Sequence, residues 1–215
     1  AAHVGDLLGS LIDQQDDDVM LIDVGTNIDC RPTQLLNFAV IGDVFARLYW
    51  GVERPRIALL SVGAEASKGN RQVREAAELL AKSGLNFIGN IEANDLPNGI
   101  AEVVVCDGFV GNVVMKLSEG IGQRLADHLR TRLAGKLPES EVAVMAREVY
   151  ELSNAVEMHG GGPLFGVNGV SIVGHGRAKS DAVSRAIGHA KLLVKNGFVA
   201  KLNEDLPRVR AILGV

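Results

Sequence analysis

Short apolar runs and amphipathic stretches alternate along the chain. Residues 19–24 are apolar except for Asp23, which predicts a strand. A Gly25-Thr26-Asn27 turn follows, then a helix over about 32–49, with Pro32 at a tolerated first-turn position. The next strand is expected at 56–62, and the next helix at 71–83, stopped by Gly84. Further strands are predicted at 86–91, 102–106 and 170–173. In the stretch 112–134, Val113, Val114, Leu117, Ile121, Leu125 and Leu129 follow helical spacing, ended by Gly135 and Pro138. Val142, Met145, Val149, Leu152 and Val156 mark another helix, spaced like one seam of a helix pair. A helix over 180–195 and a short one after Asp205 complete the pattern.

Strands that alternate with helices imply βαβ units. The expected fold class is therefore α/β: a mainly parallel sheet with helices on both faces and a projecting long-helix pair. One domain over 1–215 is expected, with the helical projection at about 112–158.

Composition narrows the function classes. A net charge of -4 argues against a general nucleic-acid binder. Cys30 and Cys106 lie far apart without CxxC spacing, which excludes a disulfide scaffold and a cysteine zinc site and suits a reducing compartment. No metal and no cofactor are expected. The longest apolar candidate, 35–46, is broken by Asp43, so no transmembrane helix is predicted. No signal peptide is visible, and the start at Ala1 suggests a fragment or a processed chain.

In open α/β sheets ligands bind beyond the carboxyl ends of the strands, so chemistry is sought there. After the second strand, Lys68-Gly69-Asn70 combines a mobile cation, a glycine that permits close approach and a plausible N-cap. The order Lys-Gly departs from a Walker A loop. After the fourth strand, Asp107, Gly111, Asn112 and Lys116 gather, with Asn112 and Lys116 expected on one face of a helix's first turn. A lysine there opposes the helix dipole, and a bound phosphate would remove the conflict. Glu92 and Asp95 follow the third strand, and a polar turn is the better reading for Asp95. Asn168 precedes the fifth strand, and His175 follows it as a candidate acid or base. The Gly160-Gly161-Gly162 run lacks the strand-turn-helix context of a dinucleotide fingerprint.

Taken together, Leu21-Ile22-Asp23-Val24-Gly25-Thr26-Asn27-Ile28-Asp29-Cys30, Lys68-Gly69-Asn70, Gly89-Asn90-Ile91-Glu92, Cys106-Asp107-Gly108-Phe109-Val110-Gly111-Asn112 and Gly162-Pro163-Leu164-Phe165-Gly166-Val167-Asn168-Gly169 with His175-Gly176 resemble the PlsX family, acyl-acyl carrier protein:phosphate acyltransferases. The resemblance runs over about 21–202 and leaves out Ala1 to Asp18. It implies a fold of the isocitrate/isopropylmalate dehydrogenase type, used without a nicotinamide. It also implies that the chain lacks the family's N-terminal segment, whose Asp/Gly-rich and Ser/Asn/Gly-rich motifs contribute to the same cleft.

The implied reaction is transfer of a fatty acyl group from the carrier thioester to inorganic phosphate, for phospholipid synthesis. Lys68, His175 and Asp107 are the expected catalytic residues. Asn27, Gly69, Asn70, Glu92, Gly111, Asn112, Lys116 and Asn168 are expected at the substrate and phosphate. Arg124, His128, Arg132 and Lys136 recur every four residues and form a basic stripe for the acidic acyl carrier protein, with Arg124, Arg132 and Lys136 as its contacts. A homodimer through the 142–156 helix, a peripheral membrane contact at the 133–138 tip and a cytoplasmic location are further expectations. Two rivals stand beside this reading: a phosphotransacetylase-like enzyme acting on coenzyme A thioesters, and an inactive shortened homologue that binds or dimerises.

Overall fold

The structure is a computed structural model that describes residues 19–154, 160–174, 176 and 178–215, and the backbone of 2–6. Its elements run β1 (Ala2–Asp6), β2 (Met20–Ile22), α1 (Pro32–Phe45) prolonged by a π turn (Ala46–Trp50), β3 (Ile57–Leu60), α2 (Arg71–Lys82), β4 (Phe87–Ile91), a 3-10 segment (Ala93–Asn98) and β5 (Val103–Val105). There follow α3 (Gly108–Leu133), α4 (Glu139–Ser153), β6 (Gly162–Phe165), β7 (Ile172–Val173), α5 (Ser180–Lys195) and α6 (Phe198–Leu213).

The strand order is β4-β3-β5-β2-β1-β6-β7. The first four are parallel, and β1, β6 and β7 add antiparallel pairings beside β2. The fold is thus α/β, with a parallel half and an antiparallel extension.

Period-two alternation puts successive strand residues into opposite layers. Met20, Ile22, Ile57, Leu59, Val103 and Val105 pack with Leu35, Leu36 and Val40 of α1, Leu80 of α2 and Val209 of α6. Leu21, Ala58, Leu60 and Val104 pack on the other face with Leu96 and with Val110, Val114 and Met115 of α3. Burial on both faces explains why these strands read as continuous apolar runs.

Several boundaries differ from the sequence expectation. β1 and β6 were not expected: both are short and carry glycine, and β6 carries proline as well, so neither has a strand's alternation. The helix expected after Asp205 begins at Phe198 instead and runs through Pro207. Asp205 sits inside it, buried, and its carboxylate bonds Arg47 at 2.6 Å and Arg208 at 3.1 Å. That cluster ties α6 to α1.

The helix pair α3–α4 packs differently from the expected seam. Its buried positions are Gly122 and Ala126 on α3, and Val142 and Ala146 on α4. A Cβ on Gly122 would fall 2.1 Å from the Ser153 Cβ, so a small residue is what lets the helices approach. The large apolar positions Val113, Leu117, Ile121 and Leu125 are instead exposed, and Met145 is exposed with them. Val156 lies outside the described residues.

Candidate active site

The connections from β3 and β5 leave in opposite directions. β3 leads through α2 to β4 on one side, and β5 leads through α3 and α4 toward β6 on the other. Such a switch point opens a crevice at the carboxyl ends of the strands. Val105 pairs with both Ile22 and Leu59, so the residues after β2, β3 and β5 emerge at one level. The Ser61 N–H donates to the Ile91 carbonyl at 2.9 Å, which brings the β4 end with Glu92 into the same row. β6 runs in the sense of β2, since both are antiparallel to β1, and so the exposed turn with Asn168 leaves at this rim too.

The turn after β2 is organised by Asp23, which is 0 % exposed. Its carboxylate accepts from the N–H groups of Gly25, Thr26 and Asn27 at 2.8–2.9 Å and from the Asn27 side-chain amide at 2.7 Å. The Asn27 carbonyl accepts from the Gly108 N–H at 2.7 Å, which clamps the turn to the start of α3. A Cβ on Gly25 would lie 3.5 Å from Asn112 Oδ1, so the Asn112 amide lies over that turn. Asn27, Asp107, Gly111 and Asn112 are therefore brought together. Asp23 was missed as a site residue. The signal was a lone carboxylate in an apolar run just before Gly-Thr-Asn, which only turn amides could satisfy.

α3 starts at Gly108, one turn earlier than expected. Asp107 is its N-cap and accepts from the Val110 N–H at 2.8 Å; among the described residues no lysine bonds it. The Gly108, Val110 and Gly111 amides are engaged by Asn27 and Asp107, so this helix start has little left for an anion. Asn112 stands one turn in and Lys116 two turns in, where Lys116 bonds Glu119 at 2.7 Å. The expected conflict between Lys116 and the helix dipole therefore does not arise, because the dipole acts within the first turn.

The β3–α2 loop differs. Asn70 caps α2, its Oδ1 accepting from the Val73 N–H at 2.9 Å. The N–H groups of Gly69, Asn70, Arg71 and Gln72 have no partner among the described residues. Four consecutive free amides at a helix start form an anion cradle. Gly69 has φ +92°, a conformation L side chains rarely adopt, and Lys68 is exposed beside it with its stem against Gly63.

Glu92 opens the 3-10 segment; its N–H donates to Asp95 at 2.9 Å, so Asp95 is the polar turn expected. His175 lies outside the described residues. The last strand residue before it, Val173, pairs with Gly162, at the far end of β6 from the Asn168 turn. Arg124, His128 and Arg132 are exposed on α3, whereas Lys136 lies beyond its end, in the turn to α4. A cavity of about 370 Å³ lies at that hairpin tip, between Arg130, Leu137 and Val142, away from the rim.

Both thiols are buried near Asp23 and Asp107. Burial first, then the two carboxylates, pushes Cys30 up to about 11, and the same causes push Cys106 well above the usual thiol range. Neither is a thiolate nucleophile at neutral pH. Among the described residues no group of three or more His, Cys, Asp or Glu could hold a metal.

Residues 8–201 match the family of the fatty acid synthesis protein, further toward the N-terminus than the motifs reach. The phosphate acyltransferase of Myxococcus xanthus is 43% identical over 199 residues, covering 90% of this chain and 56% of that protein. That of Desulfitobacterium hafniense is 39% identical over 197 residues, covering 89% and 59%. That of Geobacter sulfurreducens is 41% identical over 190 residues, covering 87% and 55%. The chain thus spans 55–59% of the length of these relatives. With a match over most of its length, and with the rim motifs at the ends of neighbouring strands, the chain belongs to the fatty acid synthesis protein family, the PlsX family of phosphate acyltransferases.

Proposed function

We propose that the chain transfers a fatty acyl group from the thioester of acyl carrier protein to inorganic phosphate. The observation that carries this reading is the row of four unpartnered amides, Gly69 to Gln72, beside Lys68 at the β3–β5 switch point. A phosphate dianion fits such a cradle, since the amides and the lysine supply positive ends without a metal.

A phosphate oxygen attacks the thioester carbonyl carbon, and the C=O electron pair moves onto oxygen. The tetrahedral oxyanion then collapses, the C–S bond breaks, and sulfur leaves with the electron pair, giving acyl phosphate. Lys68, with the Gly69 and Asn70 amides, holds the phosphate close to the carbonyl, which raises its effective concentration. The Asn112 amide, fixed over the Gly25 turn by the Asp23 cluster, donates to the oxyanion. Glu92, Asn168 and Lys116 stand at the edges as substrate contacts, and His175 keeps the part of proton donor to sulfur from the family resemblance alone, since β7 leaves β6 at the far end from this rim. A free thiol's pKa near about 8.5 makes the thiolate a competent leaving group even unassisted.

The exposed Arg124, His128 and Arg132, with Lys136 at the turn, suit an acidic carrier protein. The homodimer expected through the 142–156 helix is moved to α3, because Val142 and Ala146 are buried within the α3–α4 pair whereas the exposed Val113, Leu117, Ile121 and Leu125 form an apolar face that a second copy would cover. The 133–138 tip, with Leu137 exposed, is the proposed peripheral membrane contact of a protein working in the cytoplasm. No helix among the described residues is long and apolar enough to cross a membrane.

The test is incubation of the chain with orthophosphate and either acyl carrier thioester or acyl-coenzyme A, with acyl phosphate read by mass spectrometry. Product from the carrier thioester is expected. Product from coenzyme A alone would favour the phosphotransacetylase-like reading, and binding of both substrates without product an inactive homologue.

A further inference from the structure

Three buried side-chain atoms among the described residues have no hydrogen-bond partner: Ser61 Oγ, Asn90 Oδ1 and Gln72 Nε2. All three lie on residues that flank the β3–α2 loop. Ser61 follows β3, Asn90 is the next-to-last residue of β4, and Gln72 is in the first turn of α2. Buried polar atoms are seldom left unpaired, so each of these has hydrogen-bonding capacity to offer a ligand.

Two of them lie beside the loop that carries the amide cradle. A Cβ on Gly69 would fall 2.9 Å from Ser61 Oγ, so that hydroxyl lies against the backbone that opens the cradle. Asn90 is 8% exposed, and its amide donates to the Glu65 carbonyl of the same loop at 3.1 Å, leaving its oxygen free. Strand alternation puts Ser61 and Asn90 on the sheet face that carries Leu59 and α2.

We propose that Ser61 and Asn90 complete the anion seat and make it selective for hydrogen phosphate over sulfate. This rests on the phosphate reading above and adds residues and a specificity to it. The Ser61 hydroxyl donates to a phosphate oxygen. Asn90 Oδ1 can only accept. It is satisfied by the P–O–H proton that hydrogen phosphate carries at neutral pH and that sulfate lacks. A site built around a hydrogen bond rejects the analogue that cannot make it, because the buried group then stays unpaired.

Calorimetric titration of the full chain with orthophosphate and with sodium sulfate tests this. The unsubstituted protein is expected to bind phosphate at least about tenfold more tightly than sulfate, the scale of one hydrogen bond to a charged group. Ser61→Ala is expected to weaken both anions by about tenfold, with an unchanged or raised melting temperature because a buried unpaired hydroxyl is gone. Asn90→Ala is expected to weaken phosphate alone, which abolishes the selectivity. Equal affinity of the unsubstituted chain for the two anions would overturn the proposal, as would unchanged phosphate binding by Ser61→Ala, whether or not the Asn90 variant folds. No phosphate binding by the unsubstituted chain would remove the acyltransferase reading along with it. Firm phosphate binding that ignores Ser61 would remove this inference alone.

Discussion

The carbonyl oxygen of Asp23 occupies the space that a side chain on Gly111 would need: a Cβ there would fall 1.9 Å from it. The turn after β2 and the first turns of α3 are in backbone contact, and Asn112, the next residue along, is aimed by that contact.

Gly111→Ala should therefore push the turn off α3. The expected cost is about 1–3 kcal/mol from overpacking. For a chain of this size that lowers the melting temperature by roughly 2–4 °C per kcal/mol. Differential scanning calorimetry measures it; an unaltered melting temperature would show that the contact is soft.

Asp23→Asn tests the turn from its other side. The carboxylate accepts at least four hydrogen bonds. An amide offers one oxygen in place of two and turns a donor toward donors. Lost stability of about 1–3 kcal/mol is expected, with acyl phosphate formation falling through kcat more than through KM for phosphate, since the turn positions Asn112 and not the β3–α2 cradle. Equal kcat in the variant would detach the turn from the chemistry.

Cys30 should behave as an inert thiol. Burial, Asp107 and Asp23 hold its pKa at about 11. Iodoacetamide at pH 8 should leave the folded chain unlabelled at Cys30, and Cys30→Ala should retain turnover. Because this acid's folded pKa is raised, its contribution is complete below the unfolded thiol value and is lost as pH rises through about 11. Rapid native labelling at pH 8 would contradict the burial.

Glu102 gives the acid limb. Burial alone would raise its pKa, but the Arg56 side chain and backbone N–H outweigh burial and hold it below the ordinary carboxylate value of 4.5. The stabilisation is therefore present above the unfolded carboxylate value and is lost as pH falls through the depressed one. Glu102→Gln should lower the melting temperature at pH 7 and flatten its fall below pH 4.5, the carboxylate's ordinary value. An identical acid limb in the variant would assign it to other carboxylates.

Charge reversal at Arg124 and Arg132 should slow association with acyl carrier protein at low salt and matter less at high salt, because exposed charges are screened. An unaltered association rate in stopped flow would reject the stripe as the docking face.

The parallel half of the fold was legible because burial on both faces forces unbroken apolar runs, as in Val103–Val105. The antiparallel half was not: Gly162–Phe165 pairs by backbone hydrogen bonds and has little side-chain pattern of its own. The apolar spacing on α3 identified a helix but not its partner, because contact with α4 runs through Gly122 and Ala126 and leaves the large side chains outside. At the rim, Asn70 as a cap followed from residue chemistry alone. The unequal anion capacity of the two helix starts did not, because it depends on the Asn27 carbonyl reaching Gly108 across the fold.

The most direct measurement is a crystal structure of the chain soaked in orthophosphate. The account predicts an ordered phosphate on the Gly69 to Gln72 amides, within reach of Lys68 and facing Asn112. Phosphate bound elsewhere, with that row of amides bare and Lys68 turned away from Asn112, would contradict it.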